Sequence, residues 1–513
     1  MDRRRGSLSL LLALVLFAAA EAAVPPRNDG TAWPTIHGDL RRAGWYPRFP
    51  TRGLKLVWRH ELWREMTGPR AEVIVGGGLA FLGTYAGRLH AYDAVTGEPR
   101  WEFVAGGPIG HSPMLAGDTL YVGAADGGLH ALAVADGRPR WSVQLEAGIW
   151  SSPLVHDGLV VVGLRNGAAI ARRADTGAEA WRYQAGGPIL GVPSLDDSGT
   201  LLLVPSEDMR VHALELASGA PRWRSAPLAG LSLRDYAPAI VGGLALLSSN
   251  PVRDFHATLD SQQAMLLQGA GASGPETRFV PGGAAEVAAE QERIVAWLRA
   301  HPGEQTFHAL RLTDGSEPWV APVFYHGGLH NPTSPPCYDP VTGEVFVWLR
   351  SAYTVWDGGG EVRPYTAVGR LDLATGRVPL ISHSHPSRQP ERAPGRPDMP
   401  WNSFPAIGDE TQTLACAPGL LLSCHQGSIG SLDLTSGLTA SLAGKRDSYA
   451  GFYGPANFGW EQDGGYAKAR AAGQPYGLVN EWHGPARAIP AVVGDRVYLN
   501  VGSQLICLQG SLP

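Results

Sequence analysis

Few side chains in this sequence fall at spacings that chemistry uses. His383 and His385 stand two apart in the Pro-rich stretch ISHSHPSRQPERAPGRPDMP. Two imidazoles on an extended loop could share a metal ion. The chain has no closely spaced Cys/His set, however, and no metal centre is expected. The four cysteines, Cys337, Cys416, Cys424 and Cys507, form no CxxC or CxxCH motif, which argues against zinc and covalent haem. Cys416 and Cys424 flank a hairpin signal at Pro418-Gly419 that pairs Cys416 with about Leu421, so these two are not direct cross-strand partners. The four read as small buried apolar residues, with their disulfide status open. Between Lys445 and His483 aromatic residues crowd a Gly-rich stretch, among them Tyr453, Trp460 and Trp482. Such rings suit a planar ligand or a sugar, and equally suit sealing a loop onto the body of the protein. GxSxG, HExxH and P-loop motifs are all missing. A pair of sugar-cleaving carboxylates brought together from distant segments would leave no trace in one sequence.

The elements that must position these residues follow from composition and repetition. Of 513 residues, 66 are Gly and 41 are Pro, only 17% are charged, and the net charge is −5. Many turns without low-complexity repetition favour an all-β chain, and the charge balance argues against a nucleic-acid partner. Arg3, Arg4 and Arg5 precede an apolar run from Leu8 to Ala20, then Ala20-Glu21-Ala22. This is the anatomy of a cleavable signal peptide over residues 1–22, and it predicts a periplasmic or secreted protein. No other apolar stretch approaches the length of a transmembrane helix.

A repeat organises the rest. The segments LHAYDAVTGEPRWEF, LHALAVADGRPRWSV, AIARRADTGAEAWRY and VHALELASGAPRWRS place glycines at Gly97, Gly137, Gly177 and Gly219. Tryptophans follow at Trp101, Trp141, Trp181 and Trp223, and both series step by 40, 40 and 42 residues. A fifth copy carries Gly315 and Trp319, and weaker copies at Gly376 and Gly437 lack the Trp. Each unit reads as four short strands with tight turns, the blade of a β-propeller, and the Trp suits a wedge between blades. Seven such turns predict seven blades. The C-terminal strands AIPAVVGDRVYLN and SQLICLQG, joined by LKLVWRHEL from Leu54, make an eighth that closes the ring. The fold expected is an eight-bladed propeller over residues 54–513, preceded by a lead-in segment over 23–53. Insertions fall near 252–305, 382–400 and 443–487, and the first contains a helix over 284–302. That helix could pack on a blade's side or lie as a lid over the central opening.

The stretch Ala91, Asp93, Thr96, Gly97 and Trp101, with its partial copies, resembles the PQQ-like (pyrroloquinoline-quinone-like) repeat of quinoproteins. The segment WPTIHGDLRRAGW from Trp33 is similar to the lead-in of exported members. The resemblance implies a propeller whose ligand face is formed by loops leading into the innermost strands. Those positions are Arg70, His111, Trp150, Asp235, Asn331, Asn402 and Arg487. It also implies two functional classes. A quinoprotein dehydrogenase would bind PQQ with Ca²⁺, and Asp235, Asn331 and Asn402 are the residues available for that role. The adjacent cysteine pair and haem motif common among such dehydrogenases are missing. The expected function is therefore a monomeric, non-catalytic scaffold without a cofactor, binding a protein, a polymer or a small ligand.

Overall fold

The computed structural model describes residues 27–62, 64–68, 71–234, 237–250, 284–323, 336–357, 362–378, 380–383, 413–425, 428–435, 439–443, 489–501 and 504–513. Its strands form eight antiparallel sheets, the blades of one β-propeller. Blades 1 to 4 span Ile74–Val104, Met114–Gln144, Leu154–Gln184 and Ser194–Arg224, four strands each. Blade 5 comprises Ala239–Val241, Leu244–Ser248 and Phe307–Arg311; blades 6 and 7 span Cys337–His383 and Thr413–Ala443. Blade 8 takes three strands from Ala491–Ser511, and Arg52–Glu61 pairs along Gln504–Ser511 as its outermost strand. The two ends of the chain thus share one sheet, and no blade edge is left open at the closure.

Strand composition follows position in the blade. A second strand is covered by neighbouring blades on both faces, so Leu79–Gly83 (LAFLG) and Leu159–Gly163 (LVVVG) are continuous apolar runs, buried throughout. The outermost strands face water at the rim, and Pro99–Val104 alternates between exposed and half-buried residues. Cys416 pairs with Leu421 across the Pro418-Gly419 turn, and Cys337, Cys416 and Cys507 are buried free thiols.

The tryptophans join six of the eight blades to the next. Trp101 Nε1 donates to the Val134 carbonyl at 2.8 Å, Trp141 to Ala174 at 2.9 Å, Trp181 to Leu216 at 2.8 Å, and Trp223 to Leu312 at 2.7 Å. Trp319 reaches Leu373 at 2.9 Å. Each indole lies on the turn glycine of the following blade. A Cβ at Gly137 would stand 2.5 Å from Trp101, and φ there is +71°, so only glycine serves. Trp58, in the outermost strand of blade 8, docks on Gly97 in the same way and joins blade 8 to blade 1.

Blade 5 departs from the pattern. Among the described residues it has three strands, and the stretch around Trp319 makes no ladder. The inserted helix, Ala284–Ala300, covers this flank. Ile294 and Leu298 pack with Val320, while the Gln291 amide donates to the Val378 carbonyl at 2.6 Å and accepts from its N–H at 2.8 Å. The helix packs on the side of blades 5 and 6 and does not lid the central opening.

Candidate functional site

The feature that sequence reasoning left outside the propeller turns out to occupy its axis. The lead-in from Gly30 to Tyr46 threads the central channel and bonds to the innermost strands in rotational order. Trp33 exchanges two backbone hydrogen bonds with Val75 of blade 1, at 2.7 and 3.0 Å, and Pro34 accepts from Leu115 of blade 2 at 2.8 Å. Leu40 accepts from Leu195 of blade 4, Arg41 from Ile240 of blade 5, and Ala43 from Tyr338 of blade 6. Gly44 and Tyr46 bracket Cys416 of blade 7, and Gly30 accepts from Gly494 of blade 8. Short inner strands with unpaired N–H groups need such a partner, because a buried backbone donor without one costs about 1–3 kcal/mol.

The thread carries charge into the core. Arg42 is fully buried, and its guanidinium donates to the carbonyls of Pro193, Ile36 and Asp39 and to the Thr35 hydroxyl. Burial lowers it to about 10. Glu72, just ahead of the first strand of blade 1, accepts from Trp33 Nε1 at 3.1 Å and from the His37 N–H at 2.7 Å. Burial nonetheless pushes its carboxyl up to about 8, and desolvation followed by the Arg42 charge pulls neighbouring His37 down to about 3. The Ser112 hydroxyl bridges the Glu72 backbone N–H and C=O, binding blade 2 to blade 1. At the corresponding step of later blades stand Ser152, Val192, Ala237 and Ile489, so Glu72 is the one carboxylate among the described members of this ring.

Of the seven positions expected to form a ligand face, His111 and Trp150 fall among the described residues. Arg70, Asp235, Asn331, Asn402 and Arg487 lie outside them, as do the aromatic-loop residues Tyr453, Trp460 and Trp482 and the imidazole of His385. His111 and Trp150 are half-buried on the channel mouth. The Arg165 guanidinium lies 5.7 Å from the centre of the Trp150 ring, a cation–π arrangement, and the ring packs beside Gly110. Trp150 Nε1 is buried, and no acceptor reaches it among the described residues.

PQQ with Ca²⁺ requires a shell of six to eight oxygens. Among the described residues no three His, Cys, Asp or Glu side chains gather where they could hold a metal ion. The one carboxyl on the described channel wall is already hydrogen-bonded by the thread and has its pKa raised by burial, which suits a neutral acid better than a cation ligand. Asp235, Asn331 and Asn402, the residues expected in that role, lie outside the described residues.

A closed ring of eight antiparallel blades, six of them latched to the next by a Trp, around a threaded channel defines a PQQ-like β-propeller. A family model described as outer membrane protein assembly factor BamB matches residues 52–148 and 109–321, together more than half of the sequence. The chain belongs to that PQQ-like repeat family. No curated protein matches it in sequence. Among solved structures, the quinohemoprotein alcohol dehydrogenase of Comamonas testosteroni is 14% identical, with a TM-score of 0.51 over 80% of this chain and 72% of that one. BamB of Moraxella catarrhalis is 15% identical, with a TM-score of 0.41 over 72% of this chain and 97% of that one. At 14% identity the likeness to the Comamonas structure is one of fold.

Proposed function

We propose that the chain is an exported, non-catalytic propeller that holds a protein partner on the face carrying His111 and Trp150. The observation that supports this reading is the filled channel. Where a cofactor would need converging oxygen ligands, the described wall offers hydroxyl and apolar side chains and one hydrogen-bonded acid, packed around the chain's own thread. What remains for recognition is the rim, where an aromatic ring and a guanidinium lie together, the residue types that dominate protein interfaces. The signal-like segment at residues 1–22 supports export.

The test is a calorimetric titration of the processed protein with PQQ, with and without Ca²⁺, followed by dye reduction with alcohols and sugars. No heat and no dye reduction are expected; Ca²⁺-dependent binding at one site per chain would overturn the reading. A photo-crosslinking side chain placed at Arg165 should then yield a discrete protein adduct in cells, and one placed at exposed Asp136, on a turn at the opposite face, should not.

A further inference from the structure

The thread leaves one blade unserved, and a cavity opens there. In blades 1, 2, 4, 5 and 6 the second residue of the innermost strand gives its N–H to a carbonyl of the thread, Val75, Leu115, Leu195, Ile240 and Tyr338, and in blade 7 Cys416, the fourth residue of Thr413–Ala417, does the same. The corresponding residue of blade 3 is Val155, whose N–H goes instead to the Met114 thioether, Sδ at 3.0 Å. A thioether is a weak acceptor. Here the thread turns away, through His37 and Gly38 with φ of +57° and +83°. Between it and blades 2 and 3 lies a cavity of about 540 Å³, of the size that takes a small ligand.

The walls of this cavity state what would fit. Leu40, Met114, Tyr121 and Val155 supply an apolar lining. Asp39, Asp29 and Asp157 bring three carboxyl groups to it, against Arg27, whose guanidinium is turned to the Pro340 carbonyl, and His156. Asp39 is buried beside the Arg41 and Arg42 charges and receives the Arg41 and Ala43 N–H groups on Oδ1 alone, so Oδ2 keeps its capacity to accept from a donor in the cavity. An occupant should therefore offer three things: a carbonyl for Val155, an apolar side chain for the lining, and an ammonium for Asp39.

We propose that this cavity is a binding site for the free amino end of a short extended peptide. Its first carbonyl takes the Val155 N–H as the thread does in the other blades, and its ammonium pairs with Asp39. The site lies on the face of the 1–2 strand turns, opposite His111 and Trp150, and so goes beyond the partner surface proposed above.

The experiment is calorimetry on the processed protein with the peptide Ala-Leu-Ala-amide, its N-acetyl derivative, and n-butylamine. The free-amine peptide is expected to bind one per chain, and acetylation and the loss of the carbonyl are each expected to weaken it at least 10-fold. Asp39→Asn should weaken it similarly. Because Asp39 also caps the thread, Ala116→Trp, which fills the cavity from its half-buried rim, provides a second variant and should abolish binding with the melting temperature kept. Equal affinity for the acetylated peptide or for butylamine, binding that survives Ala116→Trp, or no binding at millimolar peptide would each overturn the proposal.

Discussion

The ring is held at two radii by opposite means. At the rim, an indole from each of six blades, 1 to 5 and 8, rests on the turn glycine of the next, and one N–H···O=C bond of 2.7 to 3.4 Å fixes it. This latch is apolar, local and repeated. At the axis, a single thread with buried arginine, histidine and aspartate, met by Glu72 of blade 1, touches seven blades in turn. Losing one copy of a repeated latch loosens one joint, since each blade interface is separately stabilised. Losing one charge from the thread leaves its partners buried and unmatched, and those partners come from several blades. Regular architecture can therefore depend most on its one irregular part.

The sharpest way to break that contrast is Arg42→Met. Removing a fully buried guanidinium strands four acceptors, and the expected loss is about 3–5 kcal/mol, read by denaturant unfolding. A loss below that for a single indole would mean the thread is dispensable. Trp141→Ala comes next, at about 2–3 kcal/mol for a half-buried indole and its bond to Ala174. Hydrogen exchange should show the added opening confined to blades 3 and 2.

A pH series tests the axis, where burial moves Glu72 and His37 in opposite directions. Glu72 binds its proton more tightly folded than unfolded, so its contribution is full below about pH 4.3, the usual glutamate value, and is lost as pH rises to about 8. His37, held neutral when folded, opposes folding as pH falls from about 6.5 towards 3. The two slopes oppose each other between their overlapping limits, and above them Glu72 lowers the melting temperature from pH 6.5 to 8. Glu72→Gln should flatten that interval; an unchanged slope would remove Glu72 as its cause. The smallest effect is expected at Glu292→Ala, which removes the exposed ion pair between the helix and Arg377 and should leave the melting temperature unchanged, whereas Gln291→Ala should lower it by about 3 °C through the two Val378 bonds.

What the sequence revealed divides along the same line. The 40-residue recurrence of Gly137 with Trp141 was legible because successive blades pose one steric problem and most solve it with one pair of residues. Trp58 obeys that rule, 43 residues before Trp101, and stepping the series backward would have exposed it. The thread solves its problem once, so periodicity says nothing of it, and the WPTIHGDLRRAGW segment read as a lead-in outside the barrel of blades. One signal was present. Glu72 stands 40 residues before Ser112 and 80 before Ser152, a long acid where the repeat otherwise places small groups. For the candidate ligand face the loops differ in length and composition from blade to blade, and only His111 and Trp150, in the most regular part of the ring, acquired a described setting.

The position of the thread also bears on when the molecule can finish folding. Residues 30–46 leave the ribosome before any blade, yet Gly30 is bonded by Gly494, and Tyr46 gives its hydroxyl to the Pro490 carbonyl at 2.7 Å. Those partners are synthesised more than 440 residues later. Closing so long a loop costs only slightly more entropy than closing a shorter one, because the cost grows with the logarithm of length. Its consequence is one of order: among the first described residues to be made are some of the last to be satisfied, and a chain stopped short of its final blade emerges with its own axis unfastened.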